Sequence, residues 1–180
     1  MAALEEDFLV KEKNVIPTRV IAISTEVAES VRATQKDPHY NFPAYTAVAK
    51  EGAPCRHCLK IIPAGEQATL FTYDAFEALE KFPLPGPVYI HAKSCARYPE
   101  YAGFPAELKS SPRTLNAYAQ GRRLLAQEYV ENGTVDSAVE KLFARRDVDY
   151  IHVRSTTAGC YTFRIERRVH SQKPAATITK

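Results

Sequence analysis

Three of the four cysteines and one histidine fall into two short pairs, Cys55 with Cys58 and His91 with Cys95. Thiolate and imidazole are the ligands that zinc prefers, and a gap of two residues lets one tight turn present both sulfurs to the same ion. A shared ion would require two segments that are distant in the sequence to meet in space. The spacing therefore predicts a Cys3His site for a structural Zn²⁺, and it constrains the fold around that site.

Cys55 and Cys58 also match the Cys-x-x-Cys pattern of redox proteins, in which the first cysteine lies at the start of a helix that lowers its pKa. Here only the residues 59–62 separate the pair from Pro63-Ala-Gly65. Proline and glycine end regular elements, so no helix fits after Cys58. The sequence favours metal binding over redox chemistry, and buried reduced cysteines are the alternative left open.

Other polar residues stand next to the two pairs. His57 lies between the first two cysteines and is assigned as a non-ligand. Three thiolates and one Zn²⁺ carry a net negative charge, which neighbouring cations stabilise. The cations that the sequence offers for this role are Arg56, Lys60, Lys93 and Arg97. In an alternative interpretation, these cations bind nucleic acid weakly. Such binding would also require a groove or a platform for base stacking.

The overall charge is modest, because 24 basic and 21 acidic side chains give a formal net charge of +3 over 180 residues. Such a balance does not indicate a nucleic-acid partner. The N-terminus carries the acids Glu5, Glu6 and Asp7 where a secretory signal has positive charge. No apolar run approaches the roughly 20 residues that span a bilayer. We therefore expect a cytoplasmic protein with no membrane partner, whose cysteines stay reduced.

Hydrophobic spacing predicts several short elements. Residues 19–23 have strand composition, and Ser24 or Thr25 then caps a helix that extends to about Gln35. Further strands are predicted at 67–73 and 88–90, and the clearest helix at 135–143. The chain therefore opens with a strand followed by a helix and continues with sheet structure on both sides of the first cysteine pair.

Two segments are ambiguous. Residues 113–130 fit either a helix or a hairpin, and the dipeptide Gln120-Gly121 favours the hairpin because it suits a tight turn. The aromatic segment 39–45 is broken by Pro43 and is expected to be an ordered loop. Its rings either line a pocket or, as is more common, seal the core.

The segments 150–154 and 160–165 alternate between apolar and polar residues on either side of a turn. This pattern is typical of a hairpin with one buried face. Pairing Arg154 with Cys160 directs one set of side chains into the core, namely Ile151, Val153, Tyr161, Phe163 and Ile165. The opposite, polar face then carries Tyr150, His152, Arg154, Cys160, Thr162 and Arg164.

This polar face supplies the enzyme hypothesis. His152 would be diagonal to Cys160, at about 7 to 8 Å, and would hold it as a thiolate. Arg154 or Arg164 would bind an anionic group of a substrate. Because nothing in the sequence positions an oxyanion hole, an ordinary exposed sheet face is favoured over this thiol site. These four residues are nevertheless the catalytic candidates.

Several separated motifs carry a family resemblance. They are the segments 54–59, 63–66, 86–91, 149–154 and 159–164. In this order they resemble the bacterial family known as domain of unknown function 1203 (DUF1203), over about residues 18–168. The resemblance implies a single soluble domain and supplies no activity.

A second, local resemblance concerns the residues around the first cysteine pair. The knuckle at Cys55 and Cys58, followed by a turn and a strand, is similar to the treble-clef fingers, including those of poly(ADP-ribose) polymerases. Such fingers take their second ligand pair from the start of a helix. His91 and Cys95 stand four residues apart and would share one face of that helix.

These observations together predict an α+β fold made of a single domain, with a mostly antiparallel sheet, two main helices and a zinc-knuckle-like loop region. Residues 1–17 form an N-terminal arm, 18–168 the domain and 169–180 a disordered tail. The expected role is a binding or scaffolding module with a small ligand or a protein as partner, and an enzyme is the less favoured alternative. If all four zinc ligands come from the protein, the ion cannot activate water.

Overall fold

The computed structural model describes residues 16–76, 83–131 and 133–168. Residues 1–15 of the predicted arm and the whole predicted tail lie outside these ranges. The helices are α1 (Thr25–Thr34) and α2 (Val135–Ala144). The strands are β1 (Thr18–Ile21), β2 (Tyr45–Val48), β3 (Ala53–Pro54), β4 (Ile61–Ile62), β5 (Gln67–Asp74), β6 (Pro85–His91), β7 (Arg113–Tyr118), β8 (Leu124–Val130), β9 (Tyr150–Ser155) and β10 (Tyr161–Arg167).

The strands form three sheets. The largest has the order β1-β10-β9-β7-β8, the second has the order β2-β5-β6, and β3 pairs with β4 alone. All pairs of named strands are antiparallel, which is the arrangement that short hairpin connections allow. The predicted α+β class with two main helices is therefore confirmed. In the described part of the chain, neither helix is long and apolar enough to cross a membrane.

Each helix packs with its own sheet. The apolar face of α2, which includes Val139, Leu142 and Phe143, shares a core with the five-stranded sheet. The inner face of α1, Ala28 and Val31, packs with the three-stranded sheet. This second core also contains Cys55 and Cys58, and Cys95 packs against it, so the first pair of candidate metal ligands belongs to the core and Cys95 lies at its edge.

Local signals account for the ends of α1. The Ser24 hydroxyl accepts a hydrogen bond from the backbone N–H of Val27 at 3.2 Å, which satisfies one of the free donors of the first turn. Gln35 ends the helix in a left-handed conformation with φ of 52°. The predicted cap and end of this helix are confirmed.

The ambiguous segment 113–130 is a hairpin, as the Gln120-Gly121 turn predicted. β7 and β8 pair from Arg113 with Val130 to Tyr118 with Leu124. Gly121 has a positive φ of 76°, a conformation that glycine adopts without a steric penalty. Leu115 is buried and Leu124 is half exposed. The leucines whose spacing fitted a helix therefore do not share one buried face.

The aromatic segment 39–45 is ordered, but two of its rings do not seal the core. Phe42 and Tyr45 are 52% and 65% exposed. Asp37 holds the loop by accepting hydrogen bonds from the backbone N–H groups of His39, Tyr40 and Phe42.

The predicted register of the last hairpin is wrong. Arg154 lies opposite Tyr161 and not opposite Cys160, and a bulge follows, so that Phe163 pairs with Val153. The bulge adds one residue to β10, which turns the Tyr161 ring away from the core side where Phe163 lies. Tyr161 instead contacts His152, with ring centroids 5.0 Å apart.

The expectation of one exposed face on this hairpin is also wrong. Ile151, Val153, Phe163 and Ile165 are buried against α2 as predicted. On the other face, however, Tyr150, His152 and Thr162 are buried as well. Rings from outside the hairpin cover them, namely Phe76 and Tyr118. The strand pattern could not reveal this cover because Phe76 comes from a distant segment.

Candidate metal centre

The first cysteine pair lies in the tight turn between β3 and β4. The backbone N–H of Cys55 donates to Lys60 and that of Leu59 donates to Cys55, both at 2.9 Å. Leu59 takes a positive φ of 55° to close this turn. Strand β4, and not a helix, comes directly after this turn. A redox Cys-x-x-Cys site requires a helix at this position.

The second pair is brought to the turn by β6. Cys55 forms a parallel bridge with Tyr89, and His91, two residues farther on, is the last residue of the strand. The backbone N–H of His91 lies 3.4 Å from the Cys55 sulfur. Cys95 follows in a loop. The expected helical face for His91 and Cys95 is therefore wrong, and the likeness to treble-clef fingers ends at the first pair.

The four side chains converge on one point. One ligand atom from each of Cys55, Cys58, His91 and Cys95 lies within 4.8 Å of all the others. The Cys55 and Cys95 sulfurs are 4.0 Å apart, and the Cys58 sulfur is 3.5 Å from Nδ1 of His91. All four cysteines of the chain are free thiols. This group could hold a metal ion.

Three thiols in such proximity cannot all ionise easily by themselves. A hydrogen bond from Cys58 lowers the pKa of Cys55. The same interaction, together with burial, raises the pKa of Cys58. Burial and the nearby Cys55 charge raise the pKa of Cys95. A bound cation would supply the positive charge that three adjacent thiolates need.

His57 is buried at 1% exposure, but it is not one of the four converging residues. Its Nδ1 lies 3.3 Å from the Cys95 sulfur, and its Nε2 lies 3.1 Å from the hydroxyl of Thr25 at the start of α1. Burial lowers its pKa, which favours the neutral ring. His57 therefore links the cluster to α1 and orients Cys95 from outside the ligand set.

The cation that contacts the cluster is Arg32 of α1, which the sequence reasoning missed. Its guanidinium donates to the Cys95 sulfur at 3.4 Å and to the carbonyl of His91 at 3.1 Å. Arg32 lies one helical turn after the buried Ala28, on the inner face of α1. This helical spacing was the sequence signal from which its contact with the cluster could have been predicted.

The cations named from the sequence have other surroundings. Arg56 is buried, and it donates to the carbonyls of Tyr161 and Pro54. Arg97 donates to the carbonyls of Ala22 and Ile23 and pairs with Glu100. Lys60 and Lys93 are exposed. These four residues do not form one basic rim around the knuckle.

His152, the proposed base among the catalytic candidates, is buried among aromatic rings. The rings of Phe76, Tyr118, Tyr150 and Tyr161 enclose His152, with centroids 4.7 to 5.2 Å away. Within the described part of the chain, neither nitrogen of His152 has a hydrogen-bond partner. Burial, with smaller effects of two arginines, lowers the pKa of His152 to about 3, so the ring is neutral at pH 7.

Arg164 lies directly opposite His152 in the β9–β10 pair, and the polar groups of the other three candidates have their own contacts. The Cys160 thiol donates to the carbonyl of Ala158 at 3.5 Å. Arg154 donates to the carbonyl of Gly159, and Arg164 pairs with Glu166 at 2.6 Å. A catalytic role for these residues stays a prediction. The structure shows no contact between His152 and Cys160 that would support it.

Fold and site define an α+β domain in which two cysteines of a Cys3His cluster belong to the core beside the three-stranded sheet. The chain belongs to the DUF1203 family, a family of proteins of unknown function whose model matches residues 52–167. The match spans all four converging residues. β1 lies outside it, although β1 pairs with β10 inside it, and the predicted domain bounds 18–168 stay a prediction. No curated protein and no solved structure matches the chain.

Proposed function

We propose that this DUF1203 chain is a binding module stabilised by one structural Zn²⁺, held by Cys55, Cys58, His91 and Cys95. The observation that carries the proposal is the convergence of the four ligand atoms within 4.8 Å. Tetrahedral zinc with bonds of about 2.3 Å to sulfur separates its ligand atoms by about 3.8 Å. The distances of 3.5 and 4.0 Å within the cluster agree with this geometry.

The donor set favours zinc over other ions. Three soft thiolates and one imidazole suit zinc, whereas magnesium and calcium prefer oxygen ligands. Zinc and three thiolates together carry a net charge of −1, and the Arg32 guanidinium, which also pairs with Glu29 at 2.7 Å, donates a hydrogen bond to the Cys95 sulfur. A reducing, cytoplasmic location belongs to this proposal, because oxidation of the thiols would remove the ligands.

The proposed role of the ion is structural. Four protein ligands leave no coordination position for water or substrate, so the ion supplies no Lewis-acid chemistry. It would connect the β3–β4 turn to the end of β6 and, through Arg32 and His57, to α1. The binding energy of the ion thereby contributes to the stability of the smaller core and of the surfaces that it supports.

Binding of nucleic acid is the less supported partner hypothesis. It relied on a rim of cations that includes Arg56, and that side chain is 3% exposed. Phosphate recognition requires cations that can reach a backbone at the surface. The partner that we propose is a small ligand, for which the chain offers a groove.

The test of the zinc proposal is elemental mass spectrometry of untagged protein. Wild type should hold about one zinc per chain, and the double variant Cys58→Ser, Cys95→Ser should hold none. The matched control is Cys160→Ser, which removes the one cysteine outside the cluster and should keep the zinc. A wild type that is metal-free after incubation with Zn²⁺ and gel filtration would contradict the proposal.

A further inference from the structure

A groove of about 610 Å³ lies between the three-stranded sheet and the turn of the last hairpin. Tyr45, Leu70 and Tyr89 are direct neighbours across β2, β5 and β6, so their side chains share one sheet face. Ser155, Ala158 and Cys160 from the turn after β9 form the opposite wall, and Arg56 lines the groove between them. The volume is within the range of small-molecule sites, about 300 to 1,000 Å³.

The sheet face in the groove is apolar but not covered. Tyr45 is 65% exposed and Tyr89 is 36% exposed. Every residue of β2 is exposed. Two tyrosine rings with a leucine between them provide a platform on which an aromatic or aliphatic group can pack, and tyrosine hydroxyls remain available at its border.

Arg56 is the unusual group in this groove. It is 3% exposed, and its hydrogen bonds to the protein use Nε and one terminal nitrogen, Nη1. The other terminal nitrogen, Nη2, has no partner in the described part of the chain. Burying a guanidinium is costly unless an anion pairs with it.

None of the described carboxylates pairs with Arg56. The two carbonyls that it contacts are neutral. Another buried cation, Arg113, repels Arg56, and the groups that would attract it when ionised include the Cys160 thiol at the groove wall. The guanidinium is protonated at pH 7, as arginine is throughout proteins. Among the described residues, the protein therefore pairs no carboxylate with the cation at the groove.

The other charges of the groove nearly cancel. Lys50 and Glu51 line it with opposite signs. The uncompensated charge is thus the single positive charge of Arg56, which matches a monoanion. A phosphate dianion would require more donors than one free guanidinium nitrogen, whereas a carboxylate is a standard partner of arginine.

We propose that this groove binds a small organic monocarboxylate, with its carboxylate on Arg56 and its apolar body on the face formed by Tyr45, Leu70 and Tyr89. The inference deepens the proposed function, because it names the ligand class of the binding module. The Cys160 thiol lies at the wall of the groove and serves as a reporter of occupancy.

The experiment compares acids with their neutral amides on zinc-loaded, full-length protein. The probes are 3-phenylpropanoate, indole-3-acetate and hexanoate, each against its amide, with binding followed by ligand-observed NMR and calorimetry. We expect at least one acid to bind, with an affinity at least about tenfold higher than that of its amide. The bound acid should also slow the alkylation of Cys160, which is measured by peptide mass spectrometry.

Three variants connect binding to the groove. Arg56→Gln should lower the affinity for the acid by about tenfold or more and leave the affinity for the amide unchanged. Ala47→Glu adds a carboxylate to the groove wall and should lower the affinity for the acid but not for the amide. This variant keeps the test decisive if Arg56→Gln does not fold. Arg123→Gln, an exposed arginine outside the groove, is the matched control and should bind as wild type does.

The outcomes separate this proposal from the zinc proposal. A zinc-loaded wild type that binds none of the acids, or binds acid and amide equally, overturns the carboxylate site and leaves the zinc site intact. Equal binding would point to an apolar occupant, such as a second copy of the chain. A wild type without zinc that binds an acid through Arg56 contradicts the zinc proposal and supports the groove.

Discussion

Replacement of His152 by phenylalanine should make the protein more resistant to acid. His152 is completely buried, neither of its nitrogens has a hydrogen-bond partner among the residues that the structure describes, and four aromatic rings surround it. Burial lowers its pKa from 6.5 to about 3. The unfolded chain therefore binds a proton between these pH values that the folded protein does not bind, so the free energy of unfolding falls as the pH falls below about 6.5.

The size of the effect follows from this shift. Each pKa unit corresponds to about 1.4 kcal/mol, so complete acidification to below pH 3 would cost about 5 kcal/mol. Between pH 7 and pH 5, where only part of the window is crossed, the loss that is due to His152 is about 2 kcal/mol. Phenylalanine cannot take up a proton, so the His152→Phe variant should lack this part of the loss.

The assay is urea unfolding of wild type and His152→Phe at pH 7 and pH 5, with the free energy of unfolding extrapolated to water. The metal ligands and His57 also respond to acid, but they do so in both proteins, and the difference between the proteins isolates His152. Equal losses in wild type and His152→Phe would refute the reasoning.

Three further predictions concern the supports of the site and the fold. Ser24→Ala removes the cap of α1 and should reduce the free energy of unfolding by about 1 kcal/mol in urea titrations, with Ser110→Ala outside the helices as control. Arg32→Met removes the donors to Cys95 and to the carbonyl of His91, so zinc affinity in a chelator competition should fall by about 10- to 100-fold, whereas Arg123→Met should not change it. Gly121→Ala places a Cβ at a φ of 76° and should cost about 1 to 2 kcal/mol in thermal unfolding, but Gly86→Ala, which has open space and no positive φ, should cost less. Unchanged stability of the first or third variant, or unchanged zinc affinity of the second, would contradict the corresponding assignment.

Much of the fold could be predicted because its signals are local. The cap at Ser24, the turn at Gly121 and the apolar spacing of α2 each depend on a few neighbouring residues, and all three are confirmed. The convergence of the two Cys/His pairs was also predictable, because only a shared site explains such spacing easily.

One of the errors comes from a local bulge, and the others come from contact between distant segments. The bulge near Tyr161 shifts the last hairpin, and strand alternation carries no sign of an inserted residue. The burial of His152 depends on Phe76, a ring from another part of the chain. The position of His91 at a strand end, instead of on a helix, depends on the bridge between Cys55 and Tyr89.

The amino-acid sequence by itself determined the α+β class, the two helices, the hairpins and the membership of the Cys3His cluster, because backbone propensity, turn chemistry and ligand spacing act over short distances. Tertiary structure alone decided that Arg32 contacts the cluster, that Arg56 is buried at a groove where none of the described carboxylates pairs with it, and that His152 is neutral. Charge and burial depend on which segments pack against one another, and that packing is a property of the whole fold.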